Sequence, residues 1–427
     1  MSQNFQDPDL GKSPEQLFAE RMQRLQDTLL LKQPDRVPIN LGFGYMLTEI
    51  GGITRQEYHD NPELAHELLA KAALEYQPDA AGGVFGFGPG ASVALGDQMT
   101  KWPGHGLPSG GSFQFAEQEF MKPEDYDAFL EDPSDWSLRT YLPRAFSELQ
   151  SFSVLPPFGM WSFGFYHLSN LMQYANPAVM ESMKALGSAI QATCEALGNV
   201  ISSGQRMAAL GFPGPFFLAG TLIEAPFDYM SDTLRGMRGI MLDIHRRPEK
   251  LLAAQEKVLK FQVEFAKNNF KATGNPYVFI PLHRGSDGFM SLPQFEKFYW
   301  PQLKSMMLQL IEAGMFPGCF YEGVWDQRLP YLAELPKGKT YGWFQSSDIF
   351  KVKEVLGDTL CIMGGMPNSM LQGGTVEQIR EHTRKLCQVA GKGGGYIMST
   401  GIGEMEGSKP ELVKAWVQAA KEFGVYS

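Results

Sequence analysis

Short apolar or β-branched runs alternate along this chain with longer stretches in which apolar residues recur at helical spacing. Eight runs predict strands, at residues 37–41, 80–85, 216–220, 277–282, 319–321, 340–344, 359–363 and 396–398. Three Ser or Thr residues followed three positions later by Gln or Glu predict capped helix starts, at Ser291, Thr375 and Ser408. Eight strands alternating with helices favour an α/β fold of the (β/α)8 type, a TIM barrel, over a doubly wound sheet, which the same pattern also allows.

The chain has 427 residues and is longer than a bare barrel. The surplus lies in a polar N-terminal arm, residues 1–18, and between the second and third predicted strands, roughly 92–210. The second region includes a helical stretch whose apolar residues recur on one face, at Met183, Leu186, Ile190, Cys194, Leu197 and Ile201. We therefore expect the arm and a single barrel domain, residues 19–427, with a helical insertion.

Composition and charge exclude several classes of protein. With 44% hydrophobic and 20% charged residues the chain is neither disordered nor fibrous, and a net charge of −10 argues against nucleic-acid binding. It contains no apolar run of membrane-spanning length and no secretion signal at its start, so we expect a cytoplasmic protein. The four cysteines form no CxxC pair, which argues against a zinc ribbon and a disulfide framework.

A series of short motifs spans the chain from about residue 20 to its end. They are Arg21 to Arg24, Pro34-Asp-Arg-Val-Pro38, Lys122-Pro-Glu-Asp, Leu234-Arg-Gly, Arg247-Pro-Glu, Ser291-Leu-Pro-Gln-Phe-Glu, Val355-Leu-Gly-Asp358, Gly373-Gly-Thr-Val-Glu and Gly393-Gly-Gly-Tyr-Ile. In their order and spacing the chain resembles the uroporphyrinogen decarboxylase superfamily, which also contains zinc-dependent methyltransferases serving corrinoid proteins and coenzyme M. The resemblance implies a (β/α)8 barrel, a site at the C-terminal ends of its strands, and a homodimer.

The resemblance also implies an arginine-rich signature after the first strand and an aspartate after the second in the decarboxylases. Residues 40–46 contain no arginine, and about Gly86 stands at the position of the aspartate. A late turn that carries histidine in those enzymes reads Gly401-Ile-Gly403. We therefore expect no decarboxylation of uroporphyrinogen.

The methyltransferases of the superfamily place zinc ligands in a His-x-Cys-Gly motif after the fifth strand and a second Cys in the late turn. The matching positions here read Phe320-Tyr-Glu-Gly323 and Ile402. A thiolate zinc site of the family type is therefore not expected. The cofactor is unknown from the sequence, a corrinoid carried by a partner protein is one candidate, and any bound metal is expected at His283 and Glu322.

The fourth predicted strand ends in a base, a cation and a carboxylate. His283 is a candidate general base or metal ligand, Arg284 a clamp for a substrate carboxylate, and Asp287 a residue that orients one of them. Alternatively, Asp287 caps the following helix and pairs with Arg284 in an ordinary turn.

The fifth predicted strand ends in two further catalytic candidates, Tyr321 and Glu322. Glu322 is expected to face the mouth of the barrel, where apolar neighbours would raise its pKa and suit it to proton transfer or metal binding. The alternative is a structural salt bridge from Glu322 to Arg284 or Arg328.

Five further residues are candidates for substrate binding. Asp326 follows the fifth strand, and Gln345 and Asp348 follow the sixth, where Asp348 alternatively caps the next helix. Tyr166 and His167 belong to an aromatic segment of the insertion that either lines the pocket as a lid or packs in the core.

Three functions remain open. The leading hypothesis is an enzyme, a methyltransferase in corrinoid-linked methyl transfer or demethylation of a small substrate. The second is a lyase or decarboxylase acting on a small carboxylated or aromatic substrate, with Arg284 as clamp and His283 or Glu322 as proton donor. The third is a barrel that binds a ligand without turning it over.

Overall fold

The fold is an α/β barrel. The computed structural model of the protein describes residues 7–84, 88–158, 169, 171–401 and 405–426. Its barrel strands are β1 (Asn40–Gly42), β2 (Ala80–Gly82), β3 (Thr221–Leu222), β4 (Tyr277–Leu282), β5 (Phe316–Tyr321), β6 (Tyr341–Phe344), β7 (Cys361–Met366) and β8 (Tyr396–Thr400).

The barrel strands pair in parallel. Strands β3 to β8 form one sheet in chain order, β1 pairs with β2, and a parallel bridge between Ile39 and Met398 links β1 to β8. In the part of the chain that the structure describes, no ladder joins β2 to β3. The barrel sheet is therefore interrupted between β2 and β3, the two strands that flank the region 92–210.

Helices follow most of the strands and cover the outside of the barrel. The α-helices are Pro14–Leu29, Met46–Gly51, Arg55–Asp60, Pro62–Tyr76, Gly90–Leu95, Tyr126–Glu131, Pro133–Trp136, Leu142–Ala145, Pro177–Ala209, Pro226–Asp228, Gly236–Arg246, Pro248–Thr273, Leu292–Gln294, Trp300–Glu312, Leu329–Leu332, Ile349–Leu356, Asn368–Gly373, Val376–Lys385 and Pro410–Phe423. Segments Pro123–Asp125 and Ser147–Val154 are 3₁₀-helical, and Ser137–Tyr141, Tyr229–Arg235, Phe295–Tyr299 and Leu386–Ala390 are π-helical.

Two of the three predicted helix starts are confirmed. Thr375 forms a reciprocal capping box with Gln378, and Ser291 is the N-cap of its helix, where its amide and its hydroxyl both donate to the Gln294 side-chain oxygen. The prediction at Ser408 is wrong, because the last helix begins at Pro410 with Lys409 as its N-cap, and Ser408 is buried.

Because side chains alternate between the two faces of each strand, the barrel has two apolar layers, one in its interior and one between its strands and the helices. Phe279, Trp343 and Met363 fill the barrel interior, and the helix Pro14–Leu29 contributes to the same cluster. Residues at the intervening positions, such as Ile280 and Ile362, pack against the surrounding helices. Side chains two residues apart on one strand therefore share a layer, which decides which residues reach the mouth of the barrel.

The third strand differs from its prediction. The apolar run 216–220 precedes the strand, and Phe217 lies in the interior cluster, where its carbonyl accepts a hydrogen bond of 2.9 Å from the Tyr341 hydroxyl. Phe217 fills the N-terminal end of the barrel interior, which explains why this run is as apolar as a strand although it does not form one. The true strand starts at Thr221, so its end lies close to Glu224.

The region between β2 and β3 holds the longest helix, Pro177–Ala209, together with the short strands Thr100–Pro103, Gly106–Leu107 and Gln114–Phe115. The arm is shorter than expected, since the first helix already begins at Pro14. None of the described helices combines the length and apolar character needed to cross a bilayer.

A buried ion network closes the N-terminal end of the barrel. Asp79 lies just before β2 and accepts hydrogen bonds from Arg24 (2.5 Å), Arg36 (2.6 Å) and the Ile39 amide (2.8 Å). Burial raises the pKa of Asp79, but the charges of Arg36 and Arg24 outweigh this and hold it well below its usual range. Two of the family-like motifs, around residues 21–24 and 34–38, thus serve to join the first helix to the first two strands.

Candidate active site

One buried carboxylate shapes the turn that follows β4. Asp228 ends the short helix after β3 and accepts hydrogen bonds from the backbone amides of His283 (3.2 Å) and Arg284 (2.9 Å). The Tyr299 hydroxyl donates a further bond of 2.5 Å to the same carboxylate. These bonds fix the backbone from which the His283 side chain leaves the strand.

A second carboxylate, Asp232, holds the imidazole itself. Its Oδ2 lies 2.5 Å from Nδ1 of His283, and its Oδ1 accepts a bond of 2.8 Å from Nε of Arg284. Asp232 belongs to the π-helical segment Tyr229–Arg235, and such segments occur frequently at functional sites. The ring of His283 is therefore oriented by a group on the neighbouring β3 side.

His283 carries a proton at neutral pH. Burial lowers its pKa, but the hydrogen bond that Nδ1 donates to Asp232 and the charges of Asp228 and Asp232 outweigh burial and raise the pKa to about 9. With Nδ1 engaged by Asp232, Nε2 is the nitrogen left for a substrate. The side chain keeps about a third of its surface exposed.

Glu322 lies beside His283 on the adjacent strand end. Leu282 of β4 is in register with Tyr321 of β5, so the next residues are neighbours, and Oε2 of Glu322 is 3.7 Å from Nε2 of His283. The Glu322 side chain is 50% exposed rather than buried among apolar groups as expected. It therefore faces water.

Glu224 is a further carboxylate of this site that the sequence analysis did not single out, as it did not single out Asp228 and Asp232. Glu224 follows β3 by two residues, accepts a bond of 3.2 Å from the Thr233 hydroxyl, and has its pKa raised to about 7 by burial and by the charges of Asp232 and Asp228. The available signal was the regular spacing of Glu224, Asp228 and Asp232, four residues apart directly after the third strand. Because the third strand was predicted at residues 216–220, these carboxylates were not recognised as following its end.

Arg284 is engaged by protein groups instead of being free to hold a substrate carboxylate. Its Nε also lies 3.1 Å from the Ser231 hydroxyl, its terminal nitrogen is 3.5 Å from Glu117, and its guanidinium sits over the Phe289 ring. In the described part of the site, five carboxylates surround only two cationic side chains. They are Glu117, Glu224, Asp228, Asp232 and Glu322, against His283 and Arg284.

Two predicted site residues have structural positions instead. Tyr321 is buried with its ring stacked on Phe344 at 4.6 Å, because strand alternation turns it outward when Glu322 turns inward. Asp287 pairs with buried Arg328 at 3.2 Å and accepts the Gln327 amide, so it joins two loops and orients neither His283 nor Arg284. Neither residue reaches the group around His283.

Of the remaining predicted residues, three bind neighbouring loops or helices, and two lie outside the described residues. Gln345 accepts the Gly323 amide at 2.7 Å, Asp348 caps the helix Ile349–Leu356, and Asp326 lies 3.9 Å from Lys351. Tyr166 and His167 lie outside the described residues, as do Gly86 and Ile402.

A second polar group follows β1 at the same end of the barrel. The Tyr45 hydroxyl lies 2.8 Å from Nε2 of His59, and the guanidinium of Arg55 sits over the Tyr45 ring. Burial lowers the pKa of His59 to about 4, so this imidazole is neutral. Among the described residues, the charged His283 and the neutral His59 thus lie at this end of the barrel, and the sequence did not single out His59.

The described residues do not fit a thiolate zinc site. Cys319 points outward from β5 with its sulfur 3.7 Å from that of Met307, and Cys361 and Cys387 are also buried. Cys194 lies on the surface of the long helix. No cluster of three or more His, Cys, Asp or Glu side chains suited to a metal ion occurs among the described residues.

Comparison with known proteins identifies the family. A curated uroporphyrinogen decarboxylase from Methylococcus capsulatus is 23% identical over 221 residues, which cover 52% of this chain and 61% of that protein, so the match spans about three fifths of the relative. A solved methyltransferase from Methanosarcina mazei, 17% identical, shares the fold with a TM-score of 0.59 over 94% of this chain and 98% of that one. Because the sequence profile described as uroporphyrinogen decarboxylase (URO-D) matches residues 168–423, the chain belongs to the uroporphyrinogen decarboxylase family.

Proposed function

We propose that the chain is a methyltransferase that removes a methyl group from a small substrate, with a corrinoid carried by a partner protein as the acceptor. The observation that carries the proposal is the position of His283 at the end of β4, where its backbone amide donates to Asp228, its Nδ1 to Asp232, and its Nε2 lies 3.7 Å from Glu322; the pKa raised to about 9 supports a proton on this ring. The fold shared with a solved methyltransferase supports it.

His283 acts as the general acid in this proposal. As the bond between the methyl carbon and a substrate oxygen or nitrogen breaks, its electron pair stays on the heteroatom, and Nε2 of His283 delivers a proton there. Asp232 keeps the ring oriented throughout. The corrinoid supplies the nucleophile that takes the methyl group, and solvent-facing Glu322 is placed to return a proton to His283.

The charge of the site limits the substrate class. Among the described residues the carboxylates around His283 outnumber the cations, and Arg284 is paired with Asp232. A substrate with several carboxylates would meet repulsion there with no free arginine to compensate. A neutral methyl donor, whose heteroatom takes a proton as the methyl group leaves, is therefore the favoured substrate.

A decarboxylase or other lyase is the second candidate. A protonated imidazole can also quench the carbanion that remains after loss of CO2, and the curated relative is named as a decarboxylase. The engagement of Arg284 argues against the carboxylate clamp that this alternative needs. A third alternative, a barrel that binds without turnover, predicts tight retention of a ligand and no product.

Methyl transfer can be tested with free cob(I)alamin as the acceptor and a panel of neutral methoxybenzenes as donors, since each leaves as a phenol that needs a proton. We expect methylcobalamin to form with at least one donor, and we expect no coproporphyrinogen from uroporphyrinogen. The His283→Gln variant is the matched negative control. Coproporphyrinogen formation, or CO2 release from a carboxylated aromatic without any methyl transfer, would instead support the decarboxylase.

A further inference from the structure

Leu222 of β3 faces the interior of the barrel and is nevertheless half exposed. In the parallel pairing of β3 with β4, Leu222 is in register with Phe279, a member of the interior cluster. The next residue, Ile223, packs in the outer layer, as strand alternation requires when Leu222 points inward. Yet Leu222 is 50% exposed, whereas Phe279 is 5% exposed. The interior of the barrel is therefore not filled beside β3.

The neighbouring strand β2 contributes little bulk to this space. Gly82 lies two residues after Ala80, whose side chain belongs to the interior cluster, so the Gly82 position also faces inward. A Cβ added at Gly82 would meet Pro215 at 3.5 Å, an ordinary contact, so packing does not require a glycine there. The lack of a side chain at Gly82 thus leaves room on the β2 side of Leu222.

An apolar floor, formed by Pro281, Phe320 and Trp343, continues from Leu222 across β4, β5 and β6. These three residues are in register on adjacent strands, and the first two are partly exposed. The Phe320 ring packs edge-on against Trp343 with their centroids 4.9 Å apart. The indole nitrogen of Trp343 in turn donates a hydrogen bond of 2.9 Å to the Thr400 carbonyl. The two rings of the floor are therefore held in place.

The polar groups of the site lie one layer above this floor. His283 comes two residues after Pro281, which is about 7 Å further along the strand direction. Glu322 follows Phe320 by the same step. Packed aromatic rings have centroids about 4.5–7 Å apart. A ring that rests on Phe320 would therefore bring its substituents to the level of His283.

We propose that Leu222, Pro281 and Phe320 form a subsite that holds the aromatic ring of the substrate, an uncharged aryl methyl ether. The inference rests on the proposed methyl transfer and names the substrate class of that site. The ring lies on Phe320 beside Leu222, with its ether oxygen towards Nε2 of His283. As the bond between methyl carbon and oxygen breaks, the methyl group passes to the corrinoid nucleophile, the electron pair stays on oxygen, and His283 protonates the phenolate to a phenol.

Two properties of the site favour an uncharged aryl ether over other ethers. A substrate ring packed against Phe320 gains attraction beyond that of its buried area, which an aliphatic ring does not. A carboxylate on the ring would instead meet the repulsion of Asp232 and Glu322. The phenol that leaves has a pKa near that of tyrosine, about 10, so its anion is a good leaving group.

The subsite can be tested by ligand-observed NMR titration without any cobalamin. Anisole is the probe, methoxycyclohexane its non-aromatic counterpart of similar size, and 4-methoxybenzoate its charged counterpart. We expect the Kd of anisole to lie at least about threefold below that of methoxycyclohexane and at least about tenfold below that of 4-methoxybenzoate.

Two variants locate the binding. Leu222→Trp should fill the space and raise the anisole Kd at least about tenfold, and Phe320→Leu should abolish the preference for anisole over methoxycyclohexane. Leu30→Trp is the matched control, since Leu30 is 51% exposed at the end of the first helix, and it should leave the Kd unchanged. Circular dichroism and a thermal melt verify the folding of each variant.

Three results would overturn the proposal: no binding of anisole, binding of either counterpart as tight as that of anisole, or an anisole Kd that neither variant changes. Methyl transfer is measured separately, with cob(I)alamin. Anisole binding at this subsite without methyl transfer from any methoxybenzene would contradict the proposed function and leave the ring subsite in place.

Discussion

Replacement of His283 by Gln is expected to lower kcat/KM for methyl transfer by roughly 10²-fold or more, with little change in Tm. Glutamine has similar reach but cannot carry the proton that the leaving heteroatom needs. The fold should tolerate the change, because Asp232 keeps its ion pair with Arg284 and Asp228 keeps its bonds to the backbone. The measurement is the rate of cob(I)alamin methylation beside a thermal melt of the same sample.

His245→Gln is the matched control, since His245 lies exposed near the end of the helix Gly236–Arg246. Glu322→Gln should have a smaller effect than His283→Gln, because Glu322 lies 3.7 Å from the imidazole and faces solvent. A purely structural role for His283 predicts the opposite pattern, with early melting and normal activity per folded molecule. That pattern would rule out the general-acid assignment.

Replacement of Asp79 by Asn is expected to lower the free energy of unfolding by about 3–5 kcal/mol, because it leaves the buried guanidinium groups of Arg24 and Arg36 without their shared counter-ion. Chemical denaturation monitored by circular dichroism measures the loss. Catalytic residues are untouched, since Asp79 precedes β2 at the opposite end of the barrel from His283.

Asp35→Asn is the matched control for Asp79. Asp35 also pairs with Arg24, at 2.6 Å, but its side chain is largely exposed, so its loss should cost about 1 kcal/mol or less. The pKa of Asp79 is depressed in the folded state, so its contribution is present above its unfolded pKa of about 4 and is lost as the pH falls towards the folded value. Equal effects of the two variants would contradict the network described here.

Local pattern was sufficient to predict much of the barrel. The predicted fourth strand, residues 277–282, coincides with β4, and the two-residue alternation of strands places His283 and Glu322 in one interior layer. The same alternation excludes Tyr321, which follows an inward-facing Phe320 and therefore turns outward. Strand alternation, which can be read from the sequence alone, therefore already argues against Tyr321 as a catalytic candidate.

Features that depend on distant contacts were not predictable in this way. Phe217 is part of an apolar run typical of a strand, but it fills the base of the barrel against Tyr341, more than a hundred residues away. That error concealed Asp232, whose role depends on its contact with His283 on the next strand. Ile190, Leu197 and Ile201 recur at helical spacing in the sequence yet lie exposed, because apolar spacing predicts a helix but does not show whether its apolar face is covered.

The central claim is that His283 is a proton donor held charged by carboxylates. Titration of its ¹⁵N-labelled imidazole by NMR measures this directly and needs no substrate. The account predicts that the imidazolium persists up to a midpoint near pH 9 and that Asp232→Asn lowers this midpoint. A midpoint at or below the ordinary histidine value of about 6.5 in the unmodified protein would contradict the account.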